Sequence, residues 1–241
     1  MGVSLDIIIV GAGLGGLAAA LALSSQNHRV TVLESSTRVG EIGAGIQVTP
    51  NFTRILHRWG LSEPLAKYGV LPQMVTQLRW ENGKELTHFS LNRDDQMEKA
   101  FGYPYYHIHR MDLHNMLLDK ARENGAVIKT GCVVAEYAHL TEGGHNGMKE
   151  QVILNDGRTF RAHLIIAADG SKSALNQFVT GAKTKAQPTG DSAYRALLTR
   201  EQVQELALDS LPIEKGATVW LGPDRHVVGW RGRRRKLEAA R

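Results

Sequence analysis

The stretch Leu5-Asp6-Ile7-Ile8-Ile9-Val10-Gly11-Ala12-Gly13-Leu14-Gly15-Gly16, continued by Leu17–Ser25 and Val30-Thr31-Val32-Leu33-Glu34, decides the fold. Leu5–Val10 is a short apolar run rich in β-branched residues. It predicts a strand buried on both faces of a parallel sheet. Leu14–Ser25 is rich in Ala and Leu and predicts a helix. Val30–Leu33 predicts a second buried strand that ends at Glu34. The pattern is β-α-β within about thirty residues.

Gly11-Ala12-Gly13-Leu14-Gly15-Gly16 fits G-x-G-x-x-G. Alone the pattern is weak. Here it follows a predicted strand, opens a predicted helix, and is followed by an acid at the end of the next strand, which are the contexts that give it meaning. Gly11 permits the tight turn, Gly13 lets backbone N–H groups approach a pyrophosphate, and Gly16 lets helix and strand pack closely. The helix N-terminus adds partial positive charge for phosphates. Glu34 lies 18 residues after Gly16, where its carboxylate accepts hydrogen bonds from ribose hydroxyls. A carboxylate there repels the 2′-phosphate of NADP, so the nucleotide is FAD or NAD. The bland alternative is a glycine-rich turn with no ligand.

The chain has 241 residues, 42% hydrophobic and 22% charged, which is globular rather than disordered composition. Its one cysteine, Cys132, excludes an intrachain disulfide framework and a multi-cysteine metal site. The net charge of +5 belongs to the end of the chain: Arg231–Arg241 holds six Lys/Arg against Glu238 alone, and residues 1–230 sum to zero. The body therefore gives no electrostatic reason to bind nucleic acid. Ile7–Leu23 is uncharged, but it has only 17 residues, four of them glycine, and Asp6 is the only charged side chain before it. Neither a membrane span nor a signal peptide is expected, and a cytoplasmic location follows as an expectation.

Beyond Glu34 the elements change character. Thr49-Pro50 predicts a helix start, with Thr as N-cap and Pro at the first helical position, running to about Trp59. Val75–Trp80 and Lys84–Phe89 predict strands joined through Asn82-Gly83. Asp112–Asn124 predicts a helix ended by Gly125. Val127–Thr130, Cys132–His139, Gln151–Leu154, Thr159–His163 and the buried run Leu164–Ala168 predict strands, with a glycine-rich turn at Glu142–Gly147. Ser192–Leu198 also reads as a strand. Thr199-Arg200-Glu201-Gln202 is a capping-box pattern before a short helix, and Thr218–Leu221 and His226–Trp230 are final strands. His107, His109 and His114 lie close together, but the helical two-histidine spacing of zinc proteases is missing and no metal is expected.

Four blocks in order carry a family likeness: the fingerprint with Glu34; Gly40–Asn51; His109-Arg110-Met111-Asp112-Leu113-His114; and Ala167-Ala168-Asp169-Gly170-Ser171-Lys172-Ser173. Over nearly all of residues 5–230 the chain resembles the FAD-dependent aromatic hydroxylases, in particular the salicylate-hydroxylase-like monooxygenases. The resemblance implies an α/β fold: a Rossmann-like FAD-binding domain made of 1–74 and 107–187, with a partial, β-rich substrate domain from 75–106 and 188–230. It implies FAD as cofactor and NAD(P)H as co-substrate, with O₂ and a small aromatic phenol or salicylate-like acid as the reactants.

The same resemblance assigns roles. Gly11, Gly13, Gly16 and Glu34 hold the nucleotide. The Gly43–Gln47 loop, including Gly45 and Gln47, passes the flavin ring, where bare backbone lets a flat ligand approach. Arg110 reaches the FAD nucleotide. Asp169, in a second nucleotide motif, contacts FAD and NAD(P)H; an ordinary Asp-Gly turn is the alternative. Arg195 holds an anionic substrate, or else is an exposed strand arginine. Three features depart from the family. Asn176 stands where an arginine is usual. Trp230 stands where some relatives place a tyrosine, and its indole lacks the phenolic O–H for acid–base work. No Gly-Asp-Ala-Ala-His-like block follows. The chain is therefore expected to be truncated relative to the family and a poor hydroxylase, with 231–241 a disordered basic tail. A non-catalytic FAD- or nucleotide-binding remnant, and an FAD oxidase or reductase without hydroxylation, are the rival readings.

Overall fold

A computed structural model describes residues 3–40, 44–141, 147–182, 187–208, 210–213 and 215–232. Gly43, most of the Glu142–Gly147 turn and all but Arg231 and Gly232 of the expected tail lie outside the described residues. In chain order the first elements are β1 (Asp6–Val10), α1 (Leu14–Ser24), β2 (Arg29–Leu33), β3 (Gly45–Val48), α2 (Pro50–Arg58), α3 (Ser62–Tyr68), β4 (Met74–Arg79) and β5 (Glu85–Ser90). Next come α4 (Gln96–Phe101), β6 (Tyr106–His109), α5 (Arg110–Glu123), β7 (Val127–Lys129), β8 (Val134–His139), β9 (Glu150–Leu154), β10 (Thr159–Ala162) and β11 (Leu164–Ala167). The last are α6 (Asn176–Thr180), α7 (Arg200–Glu205), β12 (Gly216–Gly222) and β13 (Arg225–Trp230). The chain divides into two compact units: Met1–Glu41 with Leu113–Ala193, and Ile42–Asp112 with Tyr194–Arg241.

The first unit is built on a parallel sheet of order β11-β1-β2-β7. Alternation along β1 sends its side chains to two faces. Ile8 and Val10 join Leu33, Cys132, Val152, Leu154, Ala162 and Leu175 in one core, so the antiparallel sheet of order β10-β9-β8 covers that side. Ile7 and Ile9 point the other way and are also buried. Helix α1 packs on β1 and β2, with Leu17 and Leu21 buried. On α5, Leu113, Leu117 and Ala121 follow the helical spacing and are fully buried. Each such leucine contributes about 1.5–3 kcal/mol by burial. Leu164–Ala168 was expected to be a buried strand, yet Leu164 is 43% exposed. The reason is position: β11 closes the edge of the sheet and has a neighbour on one side only.

The second unit holds a sheet of order β13-β12-β4-β5 and a separate antiparallel pair, β3 with β6. The β4–β5 hairpin turns at Asn82-Gly83 as the dipeptide predicts: Gly83 has φ +68°, and the Asn82 side-chain oxygen accepts from the Lys84 N–H. Helix α2 starts at Pro50 with Thr49 at the N-cap. The capping box also forms. The Thr199 hydroxyl accepts from the Gln202 N–H, and the Gln202 side chain accepts from the Thr199 N–H. The strand expected at Ser192–Leu198 does not form. Residues 191–199 are exposed and outside regular structure, with Tyr194 98% exposed. An alternating stretch becomes a strand only when a neighbouring strand accepts its hydrogen bonds. Among the described residues no helix is long and apolar enough to cross a membrane.

Candidate nucleotide-binding site

Strand β1 delivers the chain into the glycine turn, and two backbone approaches show why glycine is needed there. Gly11 has φ +104°, and a Cβ on it would stand 2.4 Å from the Ala168 carbonyl oxygen. A Cβ on Gly16 would stand 2.0 Å from the Gly11 carbonyl oxygen. The turn thus packs against its own helix and against the end of β11, which brings the Asp169 segment beside it. Gly13 is the N-cap of α1 and offers no side chain to the helix's first N–H groups. Those groups have no partner inside the helix, and the end of the helix carries partial positive charge.

Glu34 ends β2 and turns its half-buried carboxylate onto this turn. Its Oε2 accepts the Ala12 N–H at 2.7 Å; its Oε1 accepts the Ser36 N–H at 2.8 Å and the Ser35 hydroxyl at 3.2 Å. Three donors leave an ionised carboxylate about one further acceptor position, which is what a ribose hydroxyl requires. Ala12, Gly13 and Glu34 line a cavity of about 180 Å³, completed by Arg38, Val39, Gly40 and His114. That volume is below the roughly 300–1,000 Å³ of a pocket for a drug-sized ligand. The donor set therefore fits the adenosine side of a dinucleotide: backbone N–H groups and Arg38 for phosphate, Glu34 for ribose.

Of the residues singled out from sequence, Gly11, Gly13, Gly16, Glu34 and Asp169 meet in the first unit. The Asp169 carboxylate is engaged locally: it accepts the Ser173 hydroxyl at 2.6 Å and the Ala174 N–H at 2.8 Å, holding the turn after β11. Arg38 and His114 were not assigned to the site by sequence reasoning. His114 was weighed only as a metal ligand. Its Nε2 instead lies 2.7 Å from the Ala12 carbonyl oxygen, 102 residues away in sequence. The His109–His114 block that carries the family likeness was the one available signal.

Gly45, Gln47, Arg110 and Arg195 belong to the second unit. Gly45 pairs with His109, and its bare backbone faces the indole of Trp230, whose Nε1 would be 2.5 Å from an added Cβ. Gln47 is exposed. Arg110 opens α5, and its N–H donates to the Ala44 carbonyl at 2.9 Å. Arg195 is exposed in the irregular 191–199 segment, so it is not a strand arginine.

In that unit His107 is 1% exposed and sits between the rings of Tyr105 and Trp230. Burial pushes its pKa down to about 4. The folded state thus resists a proton that the unfolded chain accepts near pH 6.5. Stability from this residue is full above about pH 6.5 and is lost as pH falls toward 4, by roughly 3 kcal/mol in total. Denaturant unfolding between pH 7 and 4 should show this loss, and His107→Leu should flatten it. An unchanged slope in that variant assigns the acid sensitivity elsewhere.

A parallel sheet, a glycine turn at a helix start and an acid on the next strand define a dinucleotide-binding α/β protein. Residues 4–208 match the model of the FAD binding domain family, and the chain belongs to that family. Among curated proteins it is 33% identical over 229 residues to FAD-dependent monooxygenase OpS4 of Beauveria bassiana (strain ARSEF 2860), covering 94% of this chain and 52% of that protein. It is 33% identical over 227 residues to 3-hydroxybenzoate 6-hydroxylase 1 of Aquipseudomonas alcaligenes, covering 92% and 53%. The chain thus spans about half the length of the curated relatives it matches. Among solved structures, Klebsiella pneumoniae HpxO complexed with FAD and uric acid superposes with a TM-score of 0.74 at 23% identity, covering 93% of this chain and 52% of that one. This likeness is one of fold.

Proposed function

We propose that this chain is the nucleotide-binding portion of an FAD-dependent monooxygenase that hydroxylates a small aromatic phenol or acid, using NAD(P)H and O₂ in the cytoplasm. The observation that carries the reading is the Gly11–Gly16 turn with the Glu34 carboxylate folded onto it, in a chain whose relatives are named as monooxygenases of this kind. When bound, FAD would supply the redox chemistry, hydride acceptance from a nicotinamide and activation of O₂, which no side chain of this chain can supply.

The protein's own part is to bind, orient and exclude water. Gly11 and Gly16 shape the turn, Gly13 presents backbone N–H, and Glu34 accepts from the ribose. Gly45 and Gln47 are assigned to the flavin, with the Trp230 indole already lying over the bare face of Gly45, and Asp169 shapes the second nucleotide motif. Arg195 is the proposed cation for an anionic substrate. Residues 1–74 with 107–187 are assigned to the FAD-binding domain, and 75–106 with 188–230 to the substrate domain; the compact units divide elsewhere, with 42–74 and 107–112 falling in the second.

Arg110 is assigned to FAD retention, since a fixed guanidinium matches phosphate or ribose oxygens. Arg110→Ala should lower the flavin content of purified protein. Flavin content that holds while substrate affinity alone falls would reassign Arg110 to the substrate. The function itself is tested by titrating the chain with FAD and measuring hydroxylated product per NAD(P)H consumed across a panel of phenols and hydroxybenzoates. FAD binding with NAD(P)H oxidation poorly coupled to product is the expected result. FAD binding without turnover leaves a nucleotide-binding module, and absence of FAD binding removes the reading.

A further inference from the structure

The x residue of the G-x-G turn, Ala12, is held from both sides. Its N–H, part of the Gly11–Ala12 peptide, donates to Glu34 Oε2 at 2.7 Å. Its carbonyl, part of the Ala12–Gly13 peptide, lies 2.7 Å from His114 Nε2. A carbonyl only accepts, so Nε2 carries the proton and donates. The His114 ring is 1% exposed, and its other nitrogen, Nδ1, is buried with no hydrogen-bond partner among the described residues.

We propose that His114 is a positioning residue for nucleotide binding: by holding the Ala12 carbonyl it fixes the plane of the Ala12–Gly13 peptide so that the Gly13 N–H is presented to a phosphate of the dinucleotide. The proposal rests on the FAD reading above. The peptide is planar and trans, so its N–H and C=O point in opposite directions. With the oxygen tied to His114, the Gly13 N–H faces away from His114. Gly13 has no Cβ to resist rotation of this peptide. Turned over, the peptide would aim a carbonyl oxygen at the phosphate instead of a donor.

The burial of the imidazole supports a functional reason for it. A buried ring nitrogen without a partner costs stability, and an apolar side chain would fill the same place without that cost. Among the described residues, the ring's one hydrogen bond is the one to Ala12. Its consequence falls on the turn that meets the nucleotide.

The test measures binding of ADP, FAD and adenosine by calorimetry to the full chain freed of cofactor, alongside its unfolding transition. His114→Leu removes the donor. His114→Gln places an amide N–H near the position of Nε2 and drops the orphaned Nδ1. His114→Leu should weaken ADP and FAD by about tenfold or more, the weight of a hydrogen bond to a charged group, while adenosine changes by less than about twofold. His114→Gln should restore most of the ADP affinity. A merely structural histidine would lower all three ligands together, or lower the unfolding midpoint without touching the ratio of ADP to adenosine; either result overturns the proposal. If His114→Leu does not fold, His114→Asn, whose shorter amide falls short of the Ala12 oxygen, takes its place. Wild-type chain that binds neither ADP nor FAD overturns the FAD reading and this proposal with it. Wild-type binding that His114→Leu leaves intact overturns the proposal alone.

Discussion

Gly16→Ala is expected to unfold or gravely destabilise the first unit, whereas Gly15→Ala, one residue earlier, is expected to do no harm. The two glycines differ in what lies beside them. A methyl on Gly16 would meet the Gly11 carbonyl oxygen at 2.0 Å, its carbon at 3.1 Å and the Ala168 Cβ at 3.4 Å. The nearest of these is backbone in a turn that already holds Gly11 at φ +104°, so it has little freedom to retreat. Relief would come only by prising α1 away from β1, exposing Leu17 and Leu21. The cost is about 3 kcal/mol or more, at the upper end for overpacking. A methyl on Gly15 meets nothing within 4 Å. There alanine gains helix propensity, worth up to about 1 kcal/mol. Denaturant midpoints of the two variants would separate them. Equal midpoints would show that the close approach at Gly16 relaxes at small cost.

The contrast marks what was legible in the sequence. The β1-α1-β2 unit is local: one apolar run, one glycine pattern and one acid, each interpretable from its neighbours. The Asn82-Gly83 and Gly157 turns were legible for the same reason, because φ > 0 at a turn selects glycine. Helices α3, α4 and α6 were missed. At 7, 6 and 5 residues they span too little chain for a helical period to show. Ser192–Leu198 was misread because its pattern suits a strand but it pairs with none of the described strands. The role of His114 was hidden by distance: its partner is a backbone oxygen, which leaves no trace in residue identity. Gly45 shows the same limit. The missing side chain was legible, but that the Trp230 indole faces it was not.

Glu34→Ala is expected to weaken FAD and ADP binding by about 1.5–3 kcal/mol, or roughly ten- to a hundredfold in Kd. Two losses combine. The ribose loses a charged acceptor, and the Ala12 and Ser36 N–H groups lose the carboxylate that orders the turn. Glu34→Gln separates them, because the amide oxygen keeps an acceptor for one of these donors while the charge is gone. Its loss should therefore be smaller. Charge also sets selectivity. In its proposed role Glu34 disfavours a 2′-phosphate on the adenosine ribose by like-charge repulsion, and Arg38, which lines the same cavity, is a cation left behind when the carboxylate is removed. Both substitutions should thus narrow the preference for ADP over adenosine 2′,5′-bisphosphate, even where ADP itself binds less well. Competition binding with the two nucleotides reads this ratio directly. A preference that survives Glu34→Gln unchanged would mean that the carboxylate serves the turn alone, and that the ribose is recognised by other groups.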